Sequence, residues 1–321
     1  MLSGKMYRFR FDNNLVDPRY IEAYLQSPVG QLALDQMKTG GSESGLNLTH
    51  GRFRQLPVPL APLKEQHRIV AAIEEHFSHL DAGVAALERA RLRIRHMREA
   101  VLRAVADCSL VGLAADSFEE WPLGQVAKVQ LGRQRSPKNH VGPNMRWYLR
   151  AANVTWTGLN FDDIKEMNFE PAEFERFRLV PGDIVLSEAS GSPGEVGKPA
   201  IWRGEMRDCA IQNTLLRVRS EGPLPEYLLL VFRGAALTGE FARASRGVGI
   251  HHLGAKALIE WRVRVPPPDV QQEIVKEAER LLSIIDVLEA ELSAARARSG
   301  TLRRSILSSA FTGELVGPSD E

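Results

Sequence analysis

Apolar positions along this chain fall into two long stripes of helical period. In the second half, Ile274, Ala278, Leu281, Ile285, Leu288, Leu292, Ala295, Ser299, Leu302 and Ile306 recur alternately four and three residues apart. In the first half the same spacing runs through Ile69, Ile73, His76, Leu80, Gly83, Leu87, Ala90, Ile94, Met97 and Val101. A 3.5-residue period kept over about five heptads predicts a helix that packs on another helix. Each proline-free stretch is about 40 residues long, or about 60 Å at 1.5 Å per residue. His76, Gly83 and Ser299 are weak points of the stripe, and His76 is expected at its edge rather than on a metal.

Each stripe follows a short apolar run that ends in prolines: Leu56-Pro57-Val58-Pro59-Leu60-Ala61-Pro62, and Val263-Arg264-Val265-Pro266-Pro267-Pro268. Proline has no amide hydrogen and restricts its neighbour, so a strand is expected to stop there. The parallel is an internal repeat. Residues 58–112 align without a gap on 263–317, with Pro62/Pro267, Gln66/Gln271, Ile69/Ile274, Asp81/Asp286, Arg91/Arg296, Arg98/Arg303 and Leu102/Leu307 among the identical pairs, all at an offset of 205. Upstream the match loosens: Pro18, Tyr20 and Leu25 fall opposite Pro225, Tyr227 and Phe232. Nothing in residues 1–57 corresponds to roughly 112–205.

Between the helices the chain reads mainly as β with loops. Residues 179–187 predict a turn into a buried strand, and 210–218 a further strand. A helix is expected to open at Pro225, a favoured first-turn position. Gly191-Ser192-Pro193-Gly194 and Gly247-Val248-Gly249 mark loops. The fold class predicted is α+β: β-rich globular parts with two long antiparallel coiled-coil helices in an internal repeat.

Composition narrows the chemistry. Of 321 residues 44% are hydrophobic and 25% charged, which suits a folded core, and the net charge is +1. No apolar run approaches the ~20 residues of a membrane helix, so no membrane partner is expected. Two isolated cysteines, Cys108 and Cys209, argue against a disulfide framework or zinc site and fit a cytoplasmic setting. The charge is uneven. No Asp or Glu occurs from Trp121 to Phe161, nor from Phe241 to Ile259, while basic residues occur in both.

Catalytic readings fail on spacing. Residues 191–199 resemble a phosphate-binding loop, yet Ser192 stands where glycine is needed and Pro199 where Ser or Thr would hold magnesium. Asp183, Glu188, Glu195 and Lys198 make only a loose nuclease-like set. No motif for amino-group methylation is present. No catalytic residue, cofactor or metal is expected.

The duplicated strand–proline–Gln–helix units resemble the specificity (S) subunits of type I restriction–modification systems. The residues that carry the resemblance are 62–70 and their copy 268–275, then Ser305–Val316, and Gly182–Ser187 followed by Gln212-Asn213. It covers nearly the whole chain. It implies a partial first target recognition domain at 1–62, a first spacer helix at 63–111, a second target recognition domain at 112–267, a second spacer helix at 268–316 and a tail at 317–321. The departure is the first domain, of which only the C-terminal part is present. A late start, a rearranged gene or a split subunit would each account for it. The implied role is non-catalytic, reading a bipartite target in double-stranded DNA. The implied partners are methyltransferase (M) subunits and the restriction (R) subunit, in phage defence. The alternatives are a coiled-coil scaffold or remnant without independent DNA reading, and a nuclease or methyltransferase in its own right.

Under that resemblance the acid-poor segments supply candidate DNA contacts, with cations for phosphates and amides for base edges. They are Lys128, Arg133, Arg135, Lys138, Asn139, Arg146, Arg150 and Asn153, then Lys198, and Arg243, Arg246, His251 and His252. Trp147 and Trp156 are expected in packing rather than on bases. A helix of about 60 Å is shorter than ~18 base pairs at 3.4 Å each, a span that suits one short split site.

Overall fold

The computed structural model describes residues 8–38, 48–114, 117–190, 195–244 and 251–317. They form two units, one of residues 1–93 with 288–321 and one of residues 94–287. The helices are α1 (Pro18–Gln26), α2 (Pro28–Met37), α3 (His50–Phe53), α4 (Leu63–Ala106), α5 (Pro171–Phe177), α6 (Pro225–Leu237), α7 (Glu240–Ala244), α8 (Ala255–Glu260) and α9 (Pro268–Thr312). The 44-residue α4 and 45-residue α9 are the two long helices that the stripes predict.

In the first unit, prolines open α1 and α2, and Asp17 and Ser27 cap them by accepting from the amides of Arg19 and Gly30. The corner between them is tight. A Cβ on Gly30 would lie 2.0 Å from the Tyr24 carbonyl oxygen, so only glycine fits. Helix α1 sets Tyr20 and Ile21 against Ile69, Val70 and Ile73 of α4 and Leu307 and Ala310 of α9. Phe311 meets the rings of Tyr20 and Tyr24 edge-on, at 5.2 and 5.3 Å between centroids. The two tyrosine hydroxyls donate to the carbonyls of Pro59 (2.7 Å) and Pro57 (2.9 Å).

The long helices run antiparallel. In the first unit Arg303 reaches Asp81 at 2.6 Å, and Arg296 pairs with Glu88. In the second unit Arg98 reaches Asp286 at 2.5 Å. Asp81–Arg303 and Asp286–Arg98 are the same contact in repeat coordinates, made once in each unit. As exposed pairs they contribute at most about 1 kcal/mol each, and mainly fix register.

Most of the expected apolar stripe lies inward, and at three positions of α4 it is displaced by one residue. In α4 Ile73 and Ile94 are buried and Leu80, Leu87 and Val101 half-buried, as the spacing predicts. Between them Phe77, Val84 and Arg98 turn inward, in place of His76, Gly83 and Met97. A larger or longer side chain one position on covers the same gap. In α9 Ile274, Ala278 and Ile285 are buried, whereas Leu288 and Leu302 are exposed.

The second unit holds the β structure. Strands β2 (Ala127–Leu131), β11 (Leu215–Ser220), β7 (Ile184–Ser187) and β9 (Pro199–Ile201) form a four-stranded antiparallel sheet in that order. Strands β10 (Cys209–Ile211), β3 (Met145–Leu149) and β6 (Lys165–Asn168) form a second sheet, with β10 parallel to β3. Three two-stranded ladders complete it: β1 (Glu120–Pro122) with β13 (Arg262–Arg264), β4 (Val154–Thr155) with β5 (Gly158–Leu159), and β8 (Ala189–Ser190) with β12 (His251–His252). Leu149, Val185, Trp202, Ile211 and Leu215 share one core, and Tyr148, Met167, Phe169 and Phe177 another.

Two local expectations change and one holds. Residues 210–218 form not one strand but two, in different sheets, because Gln212-Asn213-Thr214 turn the chain between them. Residues 179–187 form a turn at Pro181-Gly182 into β7, as read, and all four residues of β7 are buried. The strand expected before the second helix is β13, but its first-repeat counterpart at 56–62 has no regular structure. β13 is held by pairing with β1, and the described residues of the first unit offer no equivalent partner.

Candidate nucleic-acid interface

Backbone contacts bring five segments of the second unit together. Strand β2 ends at Leu131, and Gly132 follows with no room for a side chain: a Cβ there would lie 2.2 Å from the Gln212 carbonyl oxygen. That approach lets Arg133 donate its amide to Ile211 (2.9 Å) and accept from the amide of Asn213 (3.0 Å). Gln212 donates its amide to Leu149 at 2.9 Å, and Glu188 to Thr214 at 2.9 Å. Leu253 closes the set by donating its amide to Glu188 at 2.7 Å. The loop after β2, the turn after β3, the 212–214 turn, Glu188 and the strand before Leu253 therefore meet on one rim.

The side chains on this rim are polar and linked. The Ala151 amide donates to the Thr214 hydroxyl (3.0 Å), which donates to the Gln212 side-chain oxygen (3.1 Å). Beside them lies a cleft of about 380 Å3 lined by Arg135, Tyr148, Arg150, Ala151, Ala152, Lys165, Gln212 and Thr214. Arg150 and Lys165 both pair with Asp163. Hydrogen bonding from Lys165, and then its charge and that of Arg150, holds the Asp163 carboxyl below the usual carboxylate range. Three cations against one carboxylate leave the cleft positive. Among the described residues Arg135 has no acidic partner, and its side chain is exposed.

The other candidates distribute as follows. Lys138 and Asn139 sit in a short turn, Pro137–Asn139, that starts four residues on from Arg133, with Lys138 exposed. Arg133 is buried. Its guanidinium reaches Glu173 at 2.6 Å and the carbonyl of Asn168, and lies 4.7 Å from the centre of the Phe169 ring. Asn153 is also buried, accepting from the Arg150 amide at 3.0 Å and donating to Asn160 at 2.9 Å, and so shapes the turn that carries Arg150. Arg146 lies over Phe174, 5.5 Å from the ring centre, and 3.9 Å from Asp208. Lys128 is exposed and pairs with Glu221 on the neighbouring edge. Lys198 pairs with Glu195, which also accepts from the Trp156 indole at 2.9 Å. Burial opposes ionisation of Glu195, but those two partners keep its carboxyl lowered.

Arg243 is exposed and donates to the Thr238 carbonyl at 2.9 Å. His252 lies 3.3 Å from Glu188, on the rim itself. Arg246, the side chain of His251 and the 191–194 loop lie outside the described residues. Reading the sequence missed Lys165, which follows Asp162 and Asp163 and so falls just past the acid-free stretch. It also missed Thr214, whose role depends on a fold-made contact with Ala151.

Asp183 is fully buried and accepts two hydrogen bonds from Arg219, both 2.7 Å, and one from the Val180 amide, 2.8 Å. That makes it a brace for the turn before β7. Among the described residues no cluster of His, Cys, Asp and Glu could hold a metal ion, and no helix is long and apolar enough to cross a membrane.

No protein-family model matches the chain. Sequence similarity runs to the type I restriction enzyme EcoKI specificity subunit of Escherichia coli K12, 24% identical, covering 94% of this chain and 66% of that protein. The StySPI specificity subunit of Salmonella potsdam is 22% identical over the same shares. The chain thus spans just under two thirds of the length of these relatives. A structure described as the basis of complex assembly and conformational transition of the type I R-M system matches with a TM-score of 0.76 and 19% identity. It covers 95% of this chain and 73% of that one. The crystal structure of the HsdS subunit from Thermoanaerobacter tengcongensis matches with a TM-score of 0.55, 19% identity, and 94% and 71% coverage. Along nearly its whole length, then, the chain is similar in sequence to specificity subunits of type I restriction enzymes, and it shares the fold of these structures.

Proposed function

We propose that this chain is a specificity-subunit-type scaffold whose DNA contact rests on one recognition domain, residues 112–267. The observation that carries the scaffold reading is the antiparallel pairing of α4 with α9, with one ion pair repeated in each unit. Such a pair of helices supplies a stiff mount for M subunits, and through them an R subunit. Bipartite reading by residues 1–321 alone has weaker support, because the counterpart of 112–205 is found once.

The DNA reading rests on the cleft at Arg135, Arg150 and Lys165. Arg135 and Lys138 contact phosphates, and the Gln212 amide, oriented by Thr214, faces base edges. His252 extends the surface, and Arg243 lines a separate cleft with Leu102, Glu240 and Trp261. Arg133 and Asn153 shape it from within, and Lys128, Arg146 and Lys198 belong to its margins. Binding of the full chain to duplex DNA, with and without its M subunits, tests this across a salt series. Arg135→Ala with Lys138→Ala is expected to weaken binding about tenfold or more and lower the log–log salt slope by about 2. If wild type shows no salt-dependent affinity in either assembly, the scaffold without DNA reading is the better account.

A further inference from the structure

Residues 132–144 join β2 to β3 and contain no Asp or Glu. Both ends of this loop are pinned. At its start Gly132 lies against the Gln212 carbonyl, and the Arg133 guanidinium is held inside by Glu173 and the Asn168 carbonyl. At its end the buried Asn168 side chain accepts from the Asn144 amide at 2.8 Å, and the Asn144 carbonyl accepts from the Phe169 amide at 3.0 Å. A Cβ on Gly142 would lie 2.3 Å from Asn168 Cγ, so the backbone there seats directly on that same side chain. Between the pins, the His140 amide donates to Pro137 at 3.1 Å and closes the Pro137–Asn139 turn.

Val141 sits between that turn and the pin at Gly142, and it is 79% exposed. Among the described residues no other large apolar side chain is as exposed. Single exposed apolar residues are common on protein surfaces. This one is set apart by its surroundings. Its backbone is held on both sides, exposed Lys138 and His140 precede it, and Arg135 of the same loop lines the positive cleft. Val141 follows Arg135 by six residues, at most about 22 Å of chain. That is about six base pairs at 3.4 Å each, so the cleft and the valine can meet one short stretch of duplex.

We propose that Val141 enters the major groove and reads the methyl group of a thymine. The inference rests on the DNA reading assigned to residues 112–267. Thymine is the base that displays a methyl in the major groove, and small apolar side chains recognise it by contact. A phosphate offers a valine nothing, so an aliphatic tip among cations is placed for a base edge while its neighbours take the backbone. A minor-groove wedge is the poorer fit, because the side chains that part base steps are mostly larger than valine. The pins at Gly132, Arg133 and Asn168 matter because a contact this small would not offset the ordering of a free loop.

The test uses the full chain with its M subunits. Selection from a random duplex library gives the sequence that wild type prefers, and each thymine in it is then replaced by deoxyuridine, which lacks the methyl. At one position this is expected to weaken wild type about threefold to fivefold, the worth of one buried methyl. Val141→Ala, a change at an exposed position, is expected to bind the selected duplex about as weakly, to be indifferent to deoxyuridine at that position alone, and to bind random duplex as wild type does. A Val141→Ala protein that responds to every deoxyuridine as wild type does overturns the assignment. So does a loss equal on all duplexes, or a selected sequence without thymine, and each of these leaves DNA binding by the domain in place. If wild type selects no sequence at all, the DNA reading fails and this inference with it.

Discussion

Cys108 and Cys209 show how a fold silences reactive groups. Burial pushes the Cys209 thiol up to about 12, and raises that of Cys108 as well, where the Tyr227 hydroxyl lies 3.5 Å away. Thiolate is the reactive form. Both are therefore expected to resist a maleimide at neutral pH and to label on denaturation, read by intact mass. Asp17 is the opposite case. Burial disfavours its charge, yet hydrogen bonds and charge from Arg19, with His67 nearby, lower its carboxyl below the ordinary 3.8. A lowered folded-state value means stabilisation that is complete above the unfolded value and lost as pH falls through the folded one. Asp17→Asn keeps the cap and removes the charge. It is expected to cost at most about 1 kcal/mol at pH 7, since Arg19 is exposed, and nothing at the acid end of a denaturation series. At this scale the sequence was a partial guide. Arg133 and Arg135 look alike in an acid-free run, but the backbone lock at Gly132 and Gln212 turns the first inward onto Glu173 and leaves the second outside.

At the scale of elements, the duplicated glutamines explain how helix and domain are joined. In the first unit Gln66 accepts from the Asp17 amide at 2.9 Å and donates to the carbonyls of Ala61 (2.7 Å) and Leu15 (3.0 Å). In the second, Gln271 accepts from the Leu224 amide and donates to Pro266, both at 2.7 Å. Tyr227 repeats Tyr20 by donating to the Arg264 carbonyl at 2.9 Å. Both glutamines are buried, so Gln66→Ala or Gln271→Ala strands a backbone amide and is expected to cost about 1–3 kcal/mol in a denaturant titration. Ile73→Ala and Ile285→Ala are expected to cost about 2–4 kcal/mol each, and Leu302→Ala within about 0.5 kcal/mol. The helices were legible because a heptad period is a local signal. The inward choice of Phe77 over His76 was not, because the opposing helix makes it. The break in 210–218 escaped notice for a related reason: an apolar run does not show that its halves belong to different sheets.

For the whole molecule, the repeat was legible and the rim was not. Sequence spacing aligned residues 58–112 with 263–317 unaided, whereas Lys165, Thr214 and Glu188 come together only through hydrogen bonds between distant strands. The net charge of +1 is uninformative for the same reason, since it averages over a cleft that is locally positive. Substitution of Thr214 by Val should leave affinity for random duplex nearly unchanged and alter preference among sequences, because it frees the Gln212 amide to turn. Equal losses on all duplexes would reduce Thr214 to a packing residue.

The repeated Asp–Arg contact also has a genetic consequence. Each repeat carries both halves of it, Asp81 with Arg98 and Asp286 with Arg303. Unequal crossing-over between the two aligned coding segments would delete 205 codons in frame and leave one helix. Two such shortened chains, their helices laid antiparallel, would join each aspartate to the other's arginine twice over, so the deletion product is expected to survive as a symmetric homodimer.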